Sequence, residues 1–352
     1  MKALVVGDTG MVGRYLTNQL LSVGQWQVCG LSRSGRSNTY TCLNADLSDG
    51  AAIVSALKEH RDISHVFYAG RSPDPDPQTE CDTNTRMFVN LVQAMDEAGV
   101  RYEHIQLMQG LKWYGSQAGP WRTPAREDDP RHDSPNFYYD QHDWLLAHQR
   151  TQSKAHGANR WHWSAVRPHQ VAGFSDTYPH NIAGVIALYG SFCSDQGASL
   201  DFPGTRACYE SLSMLMDATL MARAMIFIAT SPKTRNKAFN IGNGDYFRWQ
   251  NLWPVLADFF KVPCGQVTDI SLEDRFGGQG AQWRTICDRH QLAVPDMNQI
   301  GNWRYGDFSF RAGWDDMADI NAIRKSGFSE WRDSEQVLLN TLQQYRSERI
   351  IP

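Results

Sequence analysis

Residues 2–13, which read KALVVGDTGMVG, decide the fold of this chain. A short apolar run is followed by three glycines at steps of three residues: Gly7, Gly10 and Gly13. Apolar residues at helical spacing come next: Val12, Leu16 and Leu20. Gly24 then stands where a helix C-terminus favours glycine. The stretch predicts a strand, a tight turn and a helix.

This glycine spacing is typical of a dinucleotide-binding turn. Gly7 lets the backbone turn sharply, Gly10 lets a pyrophosphate approach the main chain, and Gly13 lets the helix pack closely on the strand. The helix N-terminus then faces the phosphate charge. An ordinary glycine-rich turn is the alternative, but the position between a strand and a helix favours the cofactor site.

The composition limits the classes of function that this chain can have. The chain has 352 residues, 41% hydrophobic and 20% charged, with a net charge of −4; this length predicts two globular domains. The absence of a Lys/Arg block argues against nucleic acid, and no apolar run is long enough to span a bilayer. The first strand begins at residue 3, which leaves no room for a signal peptide. We therefore expect a cytoplasmic protein that binds a small molecule, and a homodimer is the expectation for such a fold.

Cysteine and histidine spacing predicts no metal site. The seven cysteines are scattered and never in CxxC spacing, which is typical of reduced thiols. No His, Cys or Asp group has metal-ligand spacing.

The end of the second predicted strand, about Gln27–Leu31, bears on the choice of cofactor. NAD enzymes usually carry an acidic residue here, and NADP enzymes carry an arginine for the 2′-phosphate. The sequence has Ser32 and Arg33 and no acidic residue. This predicts NADPH/NADP+; a solvated loop arginine is the alternative.

The third predicted strand leads to Asp46 and Leu47, at the adenine edge of such sheets. Asp46 can accept a hydrogen bond from the exocyclic amine, while Leu47 packs on the ring. Asp46 is alternatively the N-cap of the helix through Ile53 and Leu57.

The remaining elements alternate between strand and helix as far as the strand at Trp163–Arg167, which indicates a parallel sheet. We predict a proline-rich loop at 71–77, a helix at 84–98, a surface loop at 119–135 and a helix at 213–229. The fold class is α/β, a Rossmann doubly wound parallel sheet with a smaller mixed α/β C-terminal substrate domain. The predicted domains are 1–172 plus about 212–250 for NADP, and about 173–211 plus 251–352 for substrate.

The candidate chemistry is that of a nicotinamide enzyme with a phenol beside the nicotinamide. Short-chain dehydrogenases usually place a lysine four residues after the catalytic tyrosine. Here the residue four after Tyr138 is His142, and the residue four after Tyr139 is Asp143. Lys112 follows the fifth predicted strand, which in this fold ends beside the nicotinamide, so it can reach the same space from another direction.

Several motifs resemble one family. They are GDTGMVG at 7–13, CDTNTRMF at 81–88, LMQGLKWY at 107–114, NFYY at 136–139, RP at 167–168, GFS at 173–175 and AFNIGNGD at 238–245. The chain resembles, over nearly its whole length, the progesterone 5β-reductase/iridoid synthase-like enzymes. These are extended short-chain dehydrogenases that reduce activated C=C bonds with NADPH.

The resemblance implies that Tyr138 is the catalytic phenol and Lys112 its partner. It also implies a set of cofactor contacts: Gly7, Thr9, Gly10, Met11, Val12, Gly13, Ser32, Arg33, Asp46, Leu47, Ala69, Gly70, Gln109, Tyr138, Pro168, His169 and Val171. The sequence departs from the family pattern at 69–71, where Ala-Gly-Arg replaces a bulkier run containing Trp. It departs again at Ser34, which replaces a second arginine whose role Arg36 can take.

The predicted activity is conjugate reduction of an α,β-unsaturated carbonyl compound. Two alternatives remain: a carbonyl reductase or sugar-nucleotide epimerase of the extended type, and a non-catalytic NADPH sensor. Tyr139 is expected to pack rather than react. His142 is expected to be a hydrogen-bonded polar residue, with a proton relay as the alternative.

Overall fold

The computed structural model describes residues 1–156 and 161–352. Its first elements are β1 (Lys2–Val6) and α1 (Met11–Val23). Between them Gly7 has φ +81°, a left-handed conformation that side chains disfavour. Gly24 closes α1 with φ +70°. The predicted strand, turn and helix are therefore confirmed.

Seven parallel strands form the central sheet, in the order β11-β6-β5-β4-β1-β2-β3. The strands after β1 are β2 (Gln27–Ser32), β3 (Thr41–Asn44), β4 (His65–Tyr68), β5 (His104–Met108), β6 (His162–Pro168), β7 (Val171–Ala172), β8 (Leu200–Phe202), β9 (Leu212–Ser213), β10 (Met216–Asp217), β11 (Lys237–Ile241), β12 (Phe247–Arg248) and β13 (Cys264–Val267). The Rossmann-type α/β fold is as predicted.

The helices after α1 are α2 (Gly50–Leu57), α3 (Pro77–Ala98), α4 (Phe137–His156), α5 (Ile182–Gln196), α6 (Arg206–Glu210), α7 (Ala218–Thr230), α8 (Trp249–Phe260), α9 (Leu272–Phe276), α10 (Gly280–His290), α11 (Trp303–Ser309), α12 (Asn321–Ser326) and α13 (Ser334–Ser347). Short 3₁₀ turns lie at Leu111–Tyr114, Pro232–Thr234 and Met297–Gln299. None of the helices in the described ranges is both long and apolar enough to cross a membrane.

Alternation along β1 explains why helices cover both faces of the sheet. Ala3 and Val5 join one buried cluster, with residues of α1, α7 and α12. Leu4 and Val6 join the other, with residues of α2, α3 and α4. Successive side chains of a strand point to opposite faces, so a strand with four successive apolar residues needs cover on both faces.

A further buried cluster combines α5, α8, α10 and α13 beyond the sheet, and it contains Trp249, Trp253 and Trp283. Most of the C-terminal part contributes to this cluster, but Ile320 and Ile323 pack beside β11 under the sheet. The domain boundaries stay a prediction.

Some boundaries within elements differ from the predictions. Helix α3 begins at Pro77 instead of residue 84, because Asp76 accepts a hydrogen bond from the amide of Thr79 (2.8 Å) and proline needs no donor in the first turn. Helix α7 begins at Ala218, after two short strands. The loop at 119–135 is not wholly on the surface, since Ala125 is fully buried.

The sheet also fixes where a ligand cleft opens. Strand β1 lies between β2 and β4, so the order of the strands reverses there. In open parallel sheets, ligands bind beyond the carboxyl ends of the strands at such a reversal. Gly7 follows β1 and Ala69 follows β4 at this edge.

We predict that Gly13→Ala destabilises the fold. A Cβ at this position would lie 2.2 Å from the carbonyl oxygen of Gly7 and 2.6 Å from the Cα of Asp8. Both are backbone atoms, so relief requires α1 to move, and overpacking of this kind costs about 1–3 kcal/mol. The midpoint of urea unfolding should fall accordingly.

Gly50→Ala is the matched control. Gly50 begins α2, and no atom of the described residues lies within 4 Å of a Cβ there. Alanine favours a helix over glycine, so this variant should unfold at the wild-type midpoint or slightly above it. Equal midpoints for the two variants would contradict the proposed close approach at Gly13.

Candidate active site

Two adjoining cavities occupy the cleft beyond β1 and β4. We call the first the trough (about 640 Å³) and the second the chamber (about 480 Å³). They share six lining residues: Met11, Val12, Ala69, Gly70, Arg71 and Tyr178. They are therefore two parts of one cleft that runs from the glycine turn into the interior.

The trough is lined by the residues that the sequence assigned to the phosphates, ribose and adenine. They are Gly7, Thr9, Gly10, Met11, Val12, Gly13, Ser32, Arg33, Asp46, Leu47, Ala69 and Gly70. Sequence reasoning missed the contribution of α3, which adds Thr83, Arg86 and Met87. These three lie at helical spacing, but nothing in the pattern told which face of α3 meets the trough.

Gly10 shows that the turn fits a pyrophosphate. Its φ is −76°, which any residue adopts. A Cβ there would meet one described atom within 4 Å, the carbonyl oxygen of Gly7, at an ordinary 3.4 Å. The fold itself therefore does not require glycine at this position, whereas a ligand lying against the backbone would. Gly10 is also the N-cap of α1 and supplies no side-chain cap, so the first-turn amides are open to an anion.

The trough contains both an acidic and a basic residue that the sequence singled out, Asp46 and Arg33. Asp46 accepts hydrogen bonds at Oδ1 from the amide (2.8 Å) and hydroxyl (2.7 Å) of Ser48, and these bonds lower the pKa of its carboxyl. The prediction that Asp46 caps α2 is wrong: Asp49 does so, accepting from the amide of Ala52 at 3.0 Å. Arg33 is exposed and lines the trough.

Arg36, the proposed substitute for the arginine missing at 34, is not among the described residues that line the trough, whereas Arg86 is. The carboxyl of Asp8 is buried and accepts from the hydroxyl of Tyr40 at 2.9 Å. It lies behind the turn, away from the trough lining.

Tyr138 and Lys112 line the chamber from two different elements. Tyr138 lies in the first turn of α4, and Lys112 lies in the 3₁₀ turn that follows β5. Burial raises the pKa of Tyr138 to about 12, so the phenol keeps its proton at neutral pH. Burial, with the nearby positive charge of Arg71, lowers the pKa of Lys112. The other predicted residues of the chamber also line it: Gln109, Pro168, His169 and Val171.

One buried side chain connects the two. The Nδ2 of Asn136 donates to the carbonyl oxygen of Lys112 (2.8 Å), and its Oδ1 accepts from the amide of Tyr138 (3.1 Å). This amide thus helps to fix the 3₁₀ turn and the start of α4 relative to each other. Asn136 belongs to the NFYY motif, but the motif alone did not predict this role.

Arg167 holds the 3₁₀ turn in place from the protein interior, where it is only 2% exposed. Its guanidinium donates to Gln109 (3.0 Å) and to the hydroxyl of Tyr114 (2.9 Å), and it lies 3.8 Å from the ring centre of Trp113. A buried guanidinium needs such partners, because an unpaired buried charge is costly. The backbone that carries Lys112 is therefore anchored on both sides.

The two residues in doubt beside Tyr138 face away from the cleft. The hydroxyl of Tyr139 donates to the carbonyl oxygen of Trp113 and accepts from the amide of His132 (3.0 Å), which confirms a packing role. His142 lies between the rings of Trp113 and Trp163. Its Nδ1 has no hydrogen-bond partner among the described residues, and burial lowers its pKa to about 4. The expectation of a satisfied polar histidine is wrong.

The far wall of the chamber comes from the C-terminal part of the chain. Tyr178, His180, Tyr305 and Trp314 line it. The Nε2 of His169 lies 2.6 Å from Oδ2 of Asp316, on the same wall. These residues are far apart in the sequence, so only the packing of the second cluster brings them together. Residues 1–156 and 161–352 contain no group of three or more metal-ligating side chains.

A sequence profile of the PRISE-like Rossmann-fold domain matches residues 45–284. The chain belongs to this family. The resemblance to progesterone 5β-reductase/iridoid synthase-like enzymes is thereby confirmed.

Relatives match the PRISE chain over almost its full length. The (S)-8-oxocitronellyl enol synthase of Nepeta racemosa is 31% identical, with 99% of this chain and 93% of the relative covered. The 3-oxo-Δ4,5-steroid 5β-reductase of Arabidopsis thaliana is 29% identical, with coverage of 99% and 93%.

The fold is also that of solved extended-type structures. The UDP-glucose 4-epimerase of Thermotoga maritima superposes with a TM-score of 0.68 at 16% identity, covering 99% of each chain. This likeness concerns the fold alone.

We predict that Asn136→Ala lowers the free energy of unfolding by about 1–3 kcal/mol, because it leaves the amide of Tyr138 without its partner and removes a donor to the carbonyl oxygen of Lys112, which keeps only the amide of Gly115 among the described residues. The measurement is urea unfolding of both proteins. Asn298→Ala is the control, since Asn298 lies in an exposed 3₁₀ turn and contacts only Asp296 among the bonds of the described residues. It should change stability by less than about 0.5 kcal/mol. If Asn136→Ala is as stable as wild type, the hydrogen bonds of the Asn136 side chain do not stabilise the fold.

Proposed function

We propose that this PRISE-family protein is an NADPH-dependent reductase of the activated C=C bond of α,β-unsaturated carbonyl compounds. One observation carries the proposal: Lys112 and Tyr138 line the same chamber, with their backbones joined through Asn136. The chamber adjoins a trough built for a dinucleotide. The named relatives, an enol synthase and a steroid 5β-reductase, support this reaction class.

The trough would hold the cofactor through its backbone and through the side chains of Arg33 and Arg86. The glycine turn would face the pyrophosphate, Arg33 the 2′-phosphate, and Asp46 with Leu47 the adenine. Bound NADPH supplies the hydride. The nicotinamide end would lie at the junction with the chamber, beside Gln109 and the Pro168-His169 turn.

The chain's own groups then act on the substrate carbonyl. Tyr138 carries a proton at neutral pH and donates a hydrogen bond to the carbonyl oxygen, which makes the β-carbon electrophilic. Negative charge develops on that oxygen as hydride adds to the β-carbon, and the ammonium group of Lys112 stabilises it. Because both groups are already in place and partly shielded from water, their stabilisation exceeds what solvent would supply. The α-carbon of the enolate finally takes a proton from solvent.

The alternatives are less well supported. Carbonyl reductases and epimerases of this fold usually place a lysine four residues after the tyrosine, and here that position is His142, packed between two tryptophans. A sensor would require neither Lys112 nor Tyr138. NADPH oxidation with cyclohexenone tests all three: a saturated ketone supports the proposal, an allylic alcohol indicates a carbonyl reductase, and tight NADPH binding without turnover indicates a sensor.

We predict that Tyr138→Phe lowers kcat for a cyclic enone by about 10²–10³-fold, the usual effect of removing one preorganised donor. The dissociation constant for NADPH should stay within a few-fold of wild type. Stopped-flow absorbance and NADPH titration measure the two quantities.

Tyr139→Phe is the matched control, on the neighbouring residue. Its hydroxyl forms hydrogen bonds with the backbone of Trp113 and His132. Loss of the hydroxyl should therefore lower thermal stability and leave kcat within a few-fold of the wild-type value. Unchanged kcat in Tyr138→Phe, or an equal loss in Tyr139→Phe, would overturn the assignment of the phenol.

We predict that Arg33→Gln raises the KM for NADPH by about tenfold or more and changes the KM for NADH little. The guanidinium would pair with the 2′-phosphate, which NADH lacks, and a charge-assisted bond of this kind is worth about 1.5–3 kcal/mol. Arg36→Gln is the control and should leave both KM values unchanged, because Arg36 is not among the described residues that line the trough. A parallel loss for both cofactors in Arg33→Gln would remove the argument for NADPH preference.

A further inference from the structure

Arg71 lies where the trough and the chamber meet. It follows β4 after Ala69 and Gly70, and it lines both cavities. Its side chain is 37% exposed, so solvent or a ligand in the cleft can reach it. Tyr138, Lys112 and His180 line the same chamber. The proposed reduction does not use Arg71.

The guanidinium of Arg71 is held on one edge only. Its Nε and Nη2 both donate to Oε1 of Glu80, at 3.1 Å and 2.6 Å. Its Nη1 has no hydrogen-bond partner in the part of the chain that the structure describes. An arginine has five N–H donors in a rigid planar fork that matches a carboxylate. Glu80 therefore fixes the orientation of the fork and leaves donors available to the cleft.

The chamber has a surplus of positive charge. Arg71, Lys112 and Arg311 line it, and Arg311 has no ion-pair partner among the described residues. Within the described ranges, the one carboxylate among the lining residues is Asp316, and its Oδ2 lies 2.6 Å from His169. Glu80 offsets the charge of Arg71 from outside the lining. Like charges that face a partly desolvated cavity repel one another, and a bound anion would relieve this repulsion.

The charge of Arg71 also affects the pKa values of neighbouring groups. The positive charge of Arg71 acts with burial to lower the pKa of Lys112, and it contributes with burial to lowering the pKa of His180. Arg71, Lys112 and His180 line one cavity of about 480 Å³, so a ligand that fills it can meet all three. A small substrate held by Tyr138 and Lys112 at its carbonyl would extend within reach of Arg71.

We propose that Arg71 binds a carboxylate of the substrate, so that the preferred substrates are enones that carry an acid group. The proposal rests on the proposed enone reduction. Tyr138 and Lys112 would engage the carbonyl, and the free edge of the Arg71 fork would hold the carboxylate. Arg71 would then decide which enone is bound, while the phenol and the ammonium act on it.

The test compares two probes on the full-length protein. The first is a cyclohexenone with a carboxylate on a saturated ring carbon, and the second is its methyl ester. They share the reacting double bond and differ in charge, so the ratio of their kcat/KM values, acid over ester, isolates recognition of the anion. Wild type should prefer the acid by about tenfold or more, the value of one charge-assisted hydrogen-bond pair.

Three variants locate the preference. Arg71→Gln should reduce the acid/ester ratio by about tenfold. Glu80→Gln should raise the ratio, because it removes the carboxylate that competes for the guanidinium. Arg311→Gln is the matched control, since it removes a cation from the same cavity lining. Arg311 is exposed, so water screens its charge, and the ratio should stay within about twofold.

The outcomes are distinct. A wild-type ratio near one overturns the proposal, and so does a ratio that falls equally in Arg71→Gln and Arg311→Gln. A raised KM for NADPH in Arg71→Gln with an unchanged ratio would show that Arg71 serves the cofactor and would also overturn it. If Arg71→Gln does not fold, Glu80→Gln decides: a raised ratio supports the proposal and any other result refutes it. Lack of turnover of both probes by wild type would instead count against enone reduction itself, and a tighter dissociation constant for the acid than for the ester would then still support the anion site.

Discussion

The close approach of α1 to the end of β1 is the constraint on which the rest of the structure depends. At Gly13 the helix lies so near the carbonyl oxygen of Gly7 that a single methyl group would not fit. This contact turns the N-terminus of α1 toward the carboxyl edge of the sheet, where the strand order reverses between β2 and β4. A cleft beyond these strands, with open backbone amides at its rim, follows from that geometry. The trough and the chamber are the two ends of this cleft.

The second half of the site depends on buried polar contacts. Arg167 has almost no exposed surface, and it is tolerated because Gln109, Tyr114 and the face of Trp113 compensate its charge. This compensation also fixes the turn that carries Lys112. Hydrogen bonds inside a protein replace those that the buried groups lose to water, and each of them restricts the geometry. The position of Lys112 thus depends in part on Arg167, which is not among the described residues that line the chamber.

Local sequence predicted those parts of the fold that local physics decides. The glycine spacing at 7–13 and the alternation of strands and helices were sufficient for the Rossmann sheet. The catalytic and cofactor-contact residues that the family resemblance implied all line the cleft, whereas Arg36, proposed to replace the arginine missing at 34, does not. Errors arose where two local choices were equally good. Asp46 and Asp49 are both acceptable helix caps. Asp46 accepts a hydrogen bond from the amide of Ser48 instead, and Asp49 caps the helix. The far wall, with Tyr178 and Tyr305, could not be predicted, because it forms only when the C-terminal cluster packs against the sheet. The unsatisfied nitrogen of His142 was equally hidden, since no pattern shows which tryptophans will enclose it.

The placement of the ammonium group has a chemical consequence. A lysine on the same helix as the tyrosine moves with it, whereas Lys112 and Tyr138 lie on separate elements that the amide of Asn136 joins. Moving the ammonium to the end of β5 vacates the next turn of α4, and that space is filled by the packed rings of His142, Trp113 and Trp163. Burial raises the pKa of Tyr138, which keeps the phenol protonated and makes it a hydrogen-bond donor instead of a base. A donor that retains its proton polarises a carbonyl without having to deliver that proton to oxygen, and this suits addition of hydride at carbon further along the conjugated system.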